Sequence, residues 1–454
     1  MSTTRHKPTS AVIVGLGRTG LSCARYLHER GWRVAVTDSR PQPPELEGLR
    51  ALDATIPVRL GGFDTRLLDD AVCVVASPGV PLSDPFFVEA RSRGLEVVGD
   101  IELFARAVDA PVVGITGTNG KSTVTTLVGR MAERAGLRVR VGGNLGEPAL
   151  DLLAAAQRES VSTELYVLEL SSFQLEATSS LDLKAAAVLN VTPDHLDRYP
   201  SVEAYAEAKA RIFARCDTAV INLDDPLVVA MPKPNQSILS FSLRADVGAD
   251  YAVAARDGAT DWWLMRRGEP LLPVSAMKIS GLHNAANALA ALAIGEAVGL
   301  PLEAMLAELE SFPGLEHRTQ WVADIGGVRY VNDSKGTNVG ATLASVTGSN
   351  GPLVVIAGGD GKNQDFRPLR EGFRGKVKHA VLIGHAAPQI AKVLEGVCSV
   401  ELCATLEDAV RAAARVARPG DTVLLSPACA SFDMFRDYAH RGRVFVQAVK
   451  ELAA

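Results

Sequence analysis

Short apolar runs alternate with amphipathic stretches along almost the whole of this 454-residue chain. That is the texture of α/β units with mostly parallel sheets. Ala11–Gly15, Val34–Thr37 and Ala71–Ala76 read as buried strands, with a helix over Thr19–Arg30 and Gly31 as its C-terminal stop. Val112–Thr116, Glu164–Leu170, Ala185–Asn190 and Thr218–Asn222 continue the series. From Ser237 to Ser280 the texture changes, and short strands such as Asp261–Arg266 predict an antiparallel excursion at a sheet edge. A helix over Asn284–Val298 and a linker at Ser311–Gly314 follow. A third series comprises Gly327–Val331, Leu353–Ala357, Ala380–Ile383 and Thr422–Leu425. At about 100–200 residues per domain, this rhythm predicts three domains, 1–109, 110–313 and 314–454.

Composition narrows the class. A formal net charge of −5 provides no basic footprint for nucleic acid or anionic lipid. No stretch approaches the roughly 20 apolar residues of a membrane span, and Ala11–Gly15 is too short for a signal-peptide core. The cysteines (Cys23, Cys73, Cys216, Cys398, Cys403, Cys429) are scattered without a C-x-x-C pair, which fits reduced thiols and a cytoplasmic protein.

The strongest local signal is Thr116-Gly117-Thr118-Asn119-Gly120-Lys121-Ser122-Thr123, between a strand and a helical pattern. Glycines let backbone N–H groups approach phosphate oxygens, the helix start adds its positive dipole end, and Lys121 adds a charge. Ser122 or Thr123 can hold Mg²⁺ through its hydroxyl. Ile115 stands where the general phosphate-loop pattern has its first glycine. An earlier cluster, Gly15-Leu16-Gly17-Arg18-Thr19-Gly20, matches G-x-G-x-x-G, with Asp38 where a dinucleotide site places its ribose-binding acid. It admits a dehydrogenase, any nucleotide diphosphate, or glycines that merely permit close helix packing.

Glu169 ends an apolar strand at the edge where open α/β sheets bind ligands, and a carboxylate there is costly to bury unless paired or metal-bound. His195 follows the next strand, either as an ordinary loop residue or as a metal or phosphate contact. Lys209 falls on the apolar stripe Val202, Tyr205, Ile212 and Phe213 of a helix expected over Ser201–Arg215. It either snorkels outward or is buried, and burial favours a neutral, nucleophilic amine.

Together these segments resemble the Mur ligase family of peptidoglycan synthesis. The resemblance runs through Gly117–Thr123, Glu169–Leu175, Asn190–Asp197, Gly281–Ala288, Glu316–Arg318, Asn332–Asn338, Gly358–Lys362 and Ser426–Asp433, in family order. Within the family, the His195 and Ser431 segments point to the branch that adds D-glutamate to UDP-N-acetylmuramoyl-L-alanine. The D-N-P-R motif of diaminopimelate-adding relatives is absent, and Ser122 stands where folylpolyglutamate synthetases usually have glycine.

The resemblance implies an N-terminal Rossmann-like domain, a central ATPase domain with a mostly parallel sheet, and a C-terminal Rossmann-like domain. Arg18, Thr19, Ser39, Arg40 and Gly79 would line a UDP site, and Asn144 and His195 would contact the sugar substrate. Asn287, Arg318 and Asp333 would meet ATP, while Thr337, Lys362 and Ser431 would fix D-glutamate. Taken singly, Asp333 and Lys362 are ordinary loop residues and Ser431 could cap a following helix. Ser122, Glu169, His195 and a carbamylated Lys209 would bind two Mg²⁺ ions, and the protein would work as a monomer.

Overall fold

The computed structural model describes residues 9–159, 162–255, 261–279, 281–349 and 351–452, arranged as three α/β units built on separate sheets. The first sheet holds β1 (Ser10–Val14), β2 (Arg33–Asp38), β3 (Val58–Leu60), β4 (Cys73–Ala76) and β5 (Glu96–Gly99). They are all parallel, in the order β3-β2-β1-β4-β5. The predicted start at Ala71 is two residues early, because Ala71 bonds back to Leu68 in a turn. β3 and β5 carry too few apolar residues to have been legible.

The second sheet has nine strands: β6 (Val112–Thr116), β7 (Val139–Gly143), β8 (Leu165–Glu169), β9 (Leu183–Val188), β10 (Cys216–Asn222), β11 (Ser237–Ser242), β12 (Tyr251–Ala255), β13 (Trp262–Arg266) and β14 (Glu269–Pro273). Their order is β14-β13-β12-β11-β10-β9-β6-β8-β7. The antiparallel excursion begins later than the texture suggested. β11 and β12 still run parallel, and only β13 and β14 turn back. Ser280, the expected end of that stretch, lies outside the described residues. The third sheet holds β15 (Gln320–Ile325), β16 (Val328–Asn332), β17 (Leu353–Gly358), β18 (Val377–Ile383), β19 (Ser399–Leu402) and β20 (Thr422–Leu425), ordered β15-β16-β20-β17-β18-β19. Only β15 is antiparallel to its neighbour. It escaped the sequence reading because its residues are mostly half-exposed.

The helix expected over Ser201–Arg215 is shorter. Ser201 caps Val202–Ala210, and Arg211–Phe213 tightens into a 3₁₀ turn. The helix after the first glycine cluster spans Arg18–His28, and the long central one spans Leu282–Ala297. All six cysteines are free. No helix among the described residues is long and apolar enough to cross a membrane.

The units are joined unequally. One apolar core runs from Ala11 and Phe104 in the first unit to Tyr166 and Phe213 in the second, and Phe104 packs edge-on to Tyr166 at 5.2 Å. Polar ties reinforce it: Gln174 Nε2 donates to Asp100 Oδ2 (2.9 Å), and Gly99 N–H donates to the Ala177 carbonyl (3.0 Å). The third unit packs around its own clusters, drawn from Val322 onward.

Glu102 gathers several ties between the first two units on one carboxylate. Its buried carboxylate accepts from Ser179 N (2.7 Å), Ser180 N (3.0 Å) and Ser180 Oγ (2.8 Å), and Arg106 pairs with it at 3.0 Å. Burial opposes ionisation there, but these donors outweigh it and pull the carboxyl down to about 2 from an ordinary 4.5. A depressed folded-state value adds stability that is complete above 4.5 and is lost as pH falls towards 2. Glu102→Gln should therefore lower the thermal midpoint most at neutral pH, with the gap to the unaltered protein closing below pH 4.5; a gap independent of pH would contradict this account.

Candidate active site

Phosphate chemistry requires donors and charge at one place, and in this fold they collect at the carboxyl ends of adjacent strands. In the second sheet the order β9-β6-β8-β7 brings the loops of His195, Lys121, Glu169 and Asn144 side by side. After β6 the chain turns through Gly117 (φ +149°) and Gly120 (φ +84°) into the helix Lys121–Arg134. At Gly120 the left-handed backbone favours glycine, and a Cβ would lie 2.4 Å from Asn287 Oδ1, which would have to move aside. Lys121 Nζ donates to the carbonyls of Gly117 and Thr118 (2.9 Å each).

Glu169 is buried at the end of β8. Its Oε2 accepts from Ser122 Oγ (2.5 Å) and its Oε1 from Asn144 Nδ2 (2.7 Å). Gly143 permits this approach, because a Cβ there would lie 2.5 Å from the Glu169 carbonyl. Burial alone would raise the Glu169 pKa, but Lys121, Ser122, Asn144 and Arg318 outweigh it and keep the carboxylate ionised. A serine hydroxyl beside an ionised carboxylate is an oxygen donor set suited to Mg²⁺. Among the described residues no three or more of His, Cys, Asp and Glu cluster for a metal, so phosphate oxygens and water would complete such a shell.

Lys209 is 1 % exposed, so of the two alternatives open in the sequence the structure has the buried one. Its Nζ donates to the Gly117 carbonyl (2.9 Å) and lies 4.2 Å from the centre of the Tyr205 ring. Burial first, then the charge of Lys121, pushes its pKa well below the ordinary lysine range. His195 (φ +54°) packs edge-on to Phe173 at 5.0 Å, with Nε2 3.9 Å from Asp194 Oδ2. Burial lowers the His195 pKa despite Asp194.

A cavity of about 270 Å³ opens beside the phosphate loop, lined from two units and the linker between them. Asn119, Gly120 and Asn287 face it from one side, and Gly314, Arg318, Asp333 and Lys335 from the other. Two residues of its wall carry buried polar atoms that have no hydrogen-bond partner among the described residues, Thr192 Oγ1 and His283 Nδ1, as a polar ligand would require. Arg318 Nη2 donates to Ser122 Oγ (2.5 Å) across the interface. Asp333 is held by Ser345 Oγ (2.5 Å) and Ser426 Oγ (2.8 Å), and burial raises its pKa to about 6.

The third unit supplies loops from its adjacent strands β16, β20 and β17, which carry Thr337, Ser431 and Lys362 respectively. Backbone bonds tie the loops together, Ala428 N–H to Gly336 O (2.9 Å) and the Asp360–Ala430 bridge. Fully buried Arg441 binds the carbonyls of Ser334, Cys429 and Ala430 beneath them. Lys362 Nζ crosses the interface to Asp194 Oδ1 (3.1 Å), and Asn338 Nδ2 reaches Asp194 Oδ2 (3.3 Å). Lys362 lines an apolar cleft of about 410 Å³ together with His195 and Leu343, a cleft that Thr337 and Ser431 do not line. Ser431 starts a turn through its carbonyl, bonded by Met434 N and Phe435 N, and no helix follows directly.

In the first unit, a cleft of about 540 Å³ gathers Arg18, Thr19, Ser39, Arg40, Gly79 and Asn144. Its helix, Arg18–His28, begins at Gly17 without a side-chain cap. Asp38 is not free for a ribose. Its oxygens accept from Leu16 N (2.6 Å) and from Arg40 N, Nε and Nη2 (2.7–2.9 Å). Sequence reasoning gave no role to Asp194, Lys335, Asn338 or Arg441. Left-handed backbone at His195, His317, Thr319, Lys362, Asn363 and Ala428 marks the same loops, and no residue pattern announces it.

Three family descriptions match in succession. They are the Mur ligase MurD-like N-terminal domain over residues 9–99, the Mur ligase middle domain over 115–295, and the Mur ligase glutamate ligase domain over 317–429. The chain is 51% identical over 445 residues to UDP-N-acetylmuramoylalanine–D-glutamate ligase of Nitrosococcus oceani, covering 98% of this chain and 97% of that protein. It is 49% identical to the enzyme of the same name from Pseudomonas aeruginosa, covering 97% and 98%. Among solved structures, UDP-N-acetylmuramate-alanine ligase from Thermotoga maritima has the same fold, with a TM-score of 0.62 at 19% identity over 98% of this chain and 99% of that one.

Gly120→Ala should lower stability by about 1–2 kcal/mol from the left-handed backbone alone. By displacing Asn287 it should also weaken ATP binding, measured calorimetrically, more than it lowers the thermal midpoint; unchanged ATP affinity would show that this turn does not face the nucleotide.

Proposed function

The chain belongs to the Mur ligase family, and on that premise we infer that it joins D-glutamate to UDP-N-acetylmuramoyl-L-alanine with ATP and Mg²⁺, a cytoplasmic step of cell-wall precursor synthesis. The observation that carries this reading is the near full-length identity of about one half to ligases of that name. We assign residues 1–109 to the UDP part of the substrate, 110–313 to ATP and 314–454 to the incoming amino acid, with the protein acting as a monomer.

The reaction brings anions together, so charge and positioning account for most of the catalysis. Lys121 and the N–H groups of Gly117–Thr123 hold the β- and γ-phosphates of ATP, and Asn287, Arg318 and Asp333 bind the nucleotide. Asn144 and His195 hold the muramoyl substrate so that its L-alanine carboxylate attacks the γ-phosphorus in line. The resulting acyl phosphate is attacked by the amine of D-glutamate, and phosphate leaves as the amide forms. Two Mg²⁺ ions, held by Ser122, Glu169, His195 and Lys209, would neutralise phosphate charge and draw the carboxylate towards it. Lys362 would exchange Asp194 for a carboxylate of D-glutamate, with Thr337 and Ser431 completing the diacid site. Closure of the third unit on the second excludes water from the acyl phosphate.

Burial lowers the pKa of Lys209 well below the ordinary lysine range, and carbamylation uses the neutral form of the amine that this favours. The amine adds to CO₂ and releases a proton, which converts a buried cation site into an anionic oxygen ligand. Isotope-labelled bicarbonate should give a carbamate signal in the carbon NMR spectrum that Lys209→Ala lacks; a signal that survives the substitution would place the carbamate elsewhere.

Phosphate release from ATP should require both UDP-N-acetylmuramoyl-L-alanine and D-glutamate. L-glutamate, L-alanine and diaminopimelate should not replace D-glutamate. Release with one of these instead would keep the ligase chemistry and discard the assignment of Thr337, Lys362 and Ser431.

A further inference from the structure

The diphosphate of the nucleotide sugar brings about two negative charges into the first-unit cleft, yet that cleft has little free positive charge to meet them. Of its two arginines, Arg40 is neutralised by Asp38 (2.7 Å), and Arg18 Nη2 is turned to the Gly146 carbonyl (2.9 Å). The uncapped start of the helix Arg18–His28 adds only a partial charge.

A further cation stands at the rim, and it comes from the second unit. Arg198 follows His195 in the loop after β9, with its backbone N–H bonded to the His195 carbonyl (2.9 Å). Its guanidinium lies 4.2 Å over the ring of Phe173, and Nη1 makes a long contact to the carbonyl of Gly79 (3.4 Å). Gly79 lines the cleft, and so does Gln174, the neighbour of Phe173. Among the described residues Arg198 has no ion-pair partner. An arginine stacked on an aromatic ring is held in orientation while its donors stay available, which suits recognition of phosphate oxygens.

The placement also fits the path the substrate must take. Asn144 lines the inner end of the cleft and bonds Glu169, so the sugar and its alanyl carboxylate lead from there towards the phosphate loop. The same Phe173 ring carries His195 on its edge. Arg198 thus stands where the nucleotide passes from the first unit to the second. We propose that Arg198, aligned by Phe173, is a substrate-binding residue that clamps the diphosphate of the nucleotide sugar and exchanges its weak contact with Gly79 for phosphate oxygens.

This proposal rests on the ligase reading above, and the two fail separately. Absence of phosphate release by the unaltered enzyme with both substrates would overturn the reading itself. If that enzyme turns over, Arg198→Ala should raise the KM for UDP-N-acetylmuramoyl-L-alanine roughly 10- to 100-fold, the range of a lost charged hydrogen bond, while the KM values for ATP and D-glutamate stay put. Arg198→Lys should recover part of the loss. The competitive inhibition constant of UDP should rise with KM in Arg198→Ala, and that of uridine should not. An unchanged constant for UDP, or equal weakening of UDP and uridine, would overturn the proposal.

Discussion

A cluster of buried basic groups at the centre of the molecule sets the conditions for everything around it. Lys121, Lys209, Lys335 and Arg318 converge on the phosphate-loop region, and burial depresses the pKa of each. Lys335 is brought down to about 7. Against them stand Glu169 and, more distantly, Asp194 and Asp333, the last raised to about 6 by its burial. Such a site is unfavourable when empty and becomes balanced when phosphate groups enter it. That cluster must be tolerated by the fold, and the continuous strands β6, β8 and β9 supply the rigidity that tolerates it.

The domains divide this task. The first two units share one core, so the substrate cleft and the phosphate loop keep a fixed relation. The third unit meets them through polar groups, several of which the proposed mechanism also uses: Arg318 on Ser122, Lys362 on Asp194, and Asn338 on both Asn119 and Asp194. Left-handed backbone at His317, Thr319, Lys362 and Ala428 places conformational strain on the third unit's side of the joint, where buried ties such as Arg441 hold it in place.

Much of this was legible in the sequence because parallel strands are apolar on both faces. Val112–Thr116 and Thr422–Leu425 coincide with observed strands. The strip of residues from Gly117 to Thr123 announced its own geometry, whereas the apolar stripe left Lys209 open between snorkelling and burial, and the structure has it buried. What stayed hidden depended on partners distant in sequence. Asp38 matched a ribose-binding pattern, yet Arg40 two residues on occupies it. Asp194 gains its partner from Lys362, 168 residues away, which no local spacing predicts. β15 and β19 were missed because half-exposed edge strands lose the apolar texture on which the reading relied.

The unequal joining of the units has an evolutionary consequence. The third unit, to which the proposed function gives the choice of amine, can drift or be exchanged without rebuilding a shared core, since its apolar clusters are its own. The first unit has no such freedom, because its interior is continuous with that of its neighbour. On the proposed assignment, an ancestor of this architecture could diversify readily in which amino acid it added, while the nucleotide carrier it acted on remained fixed by packing.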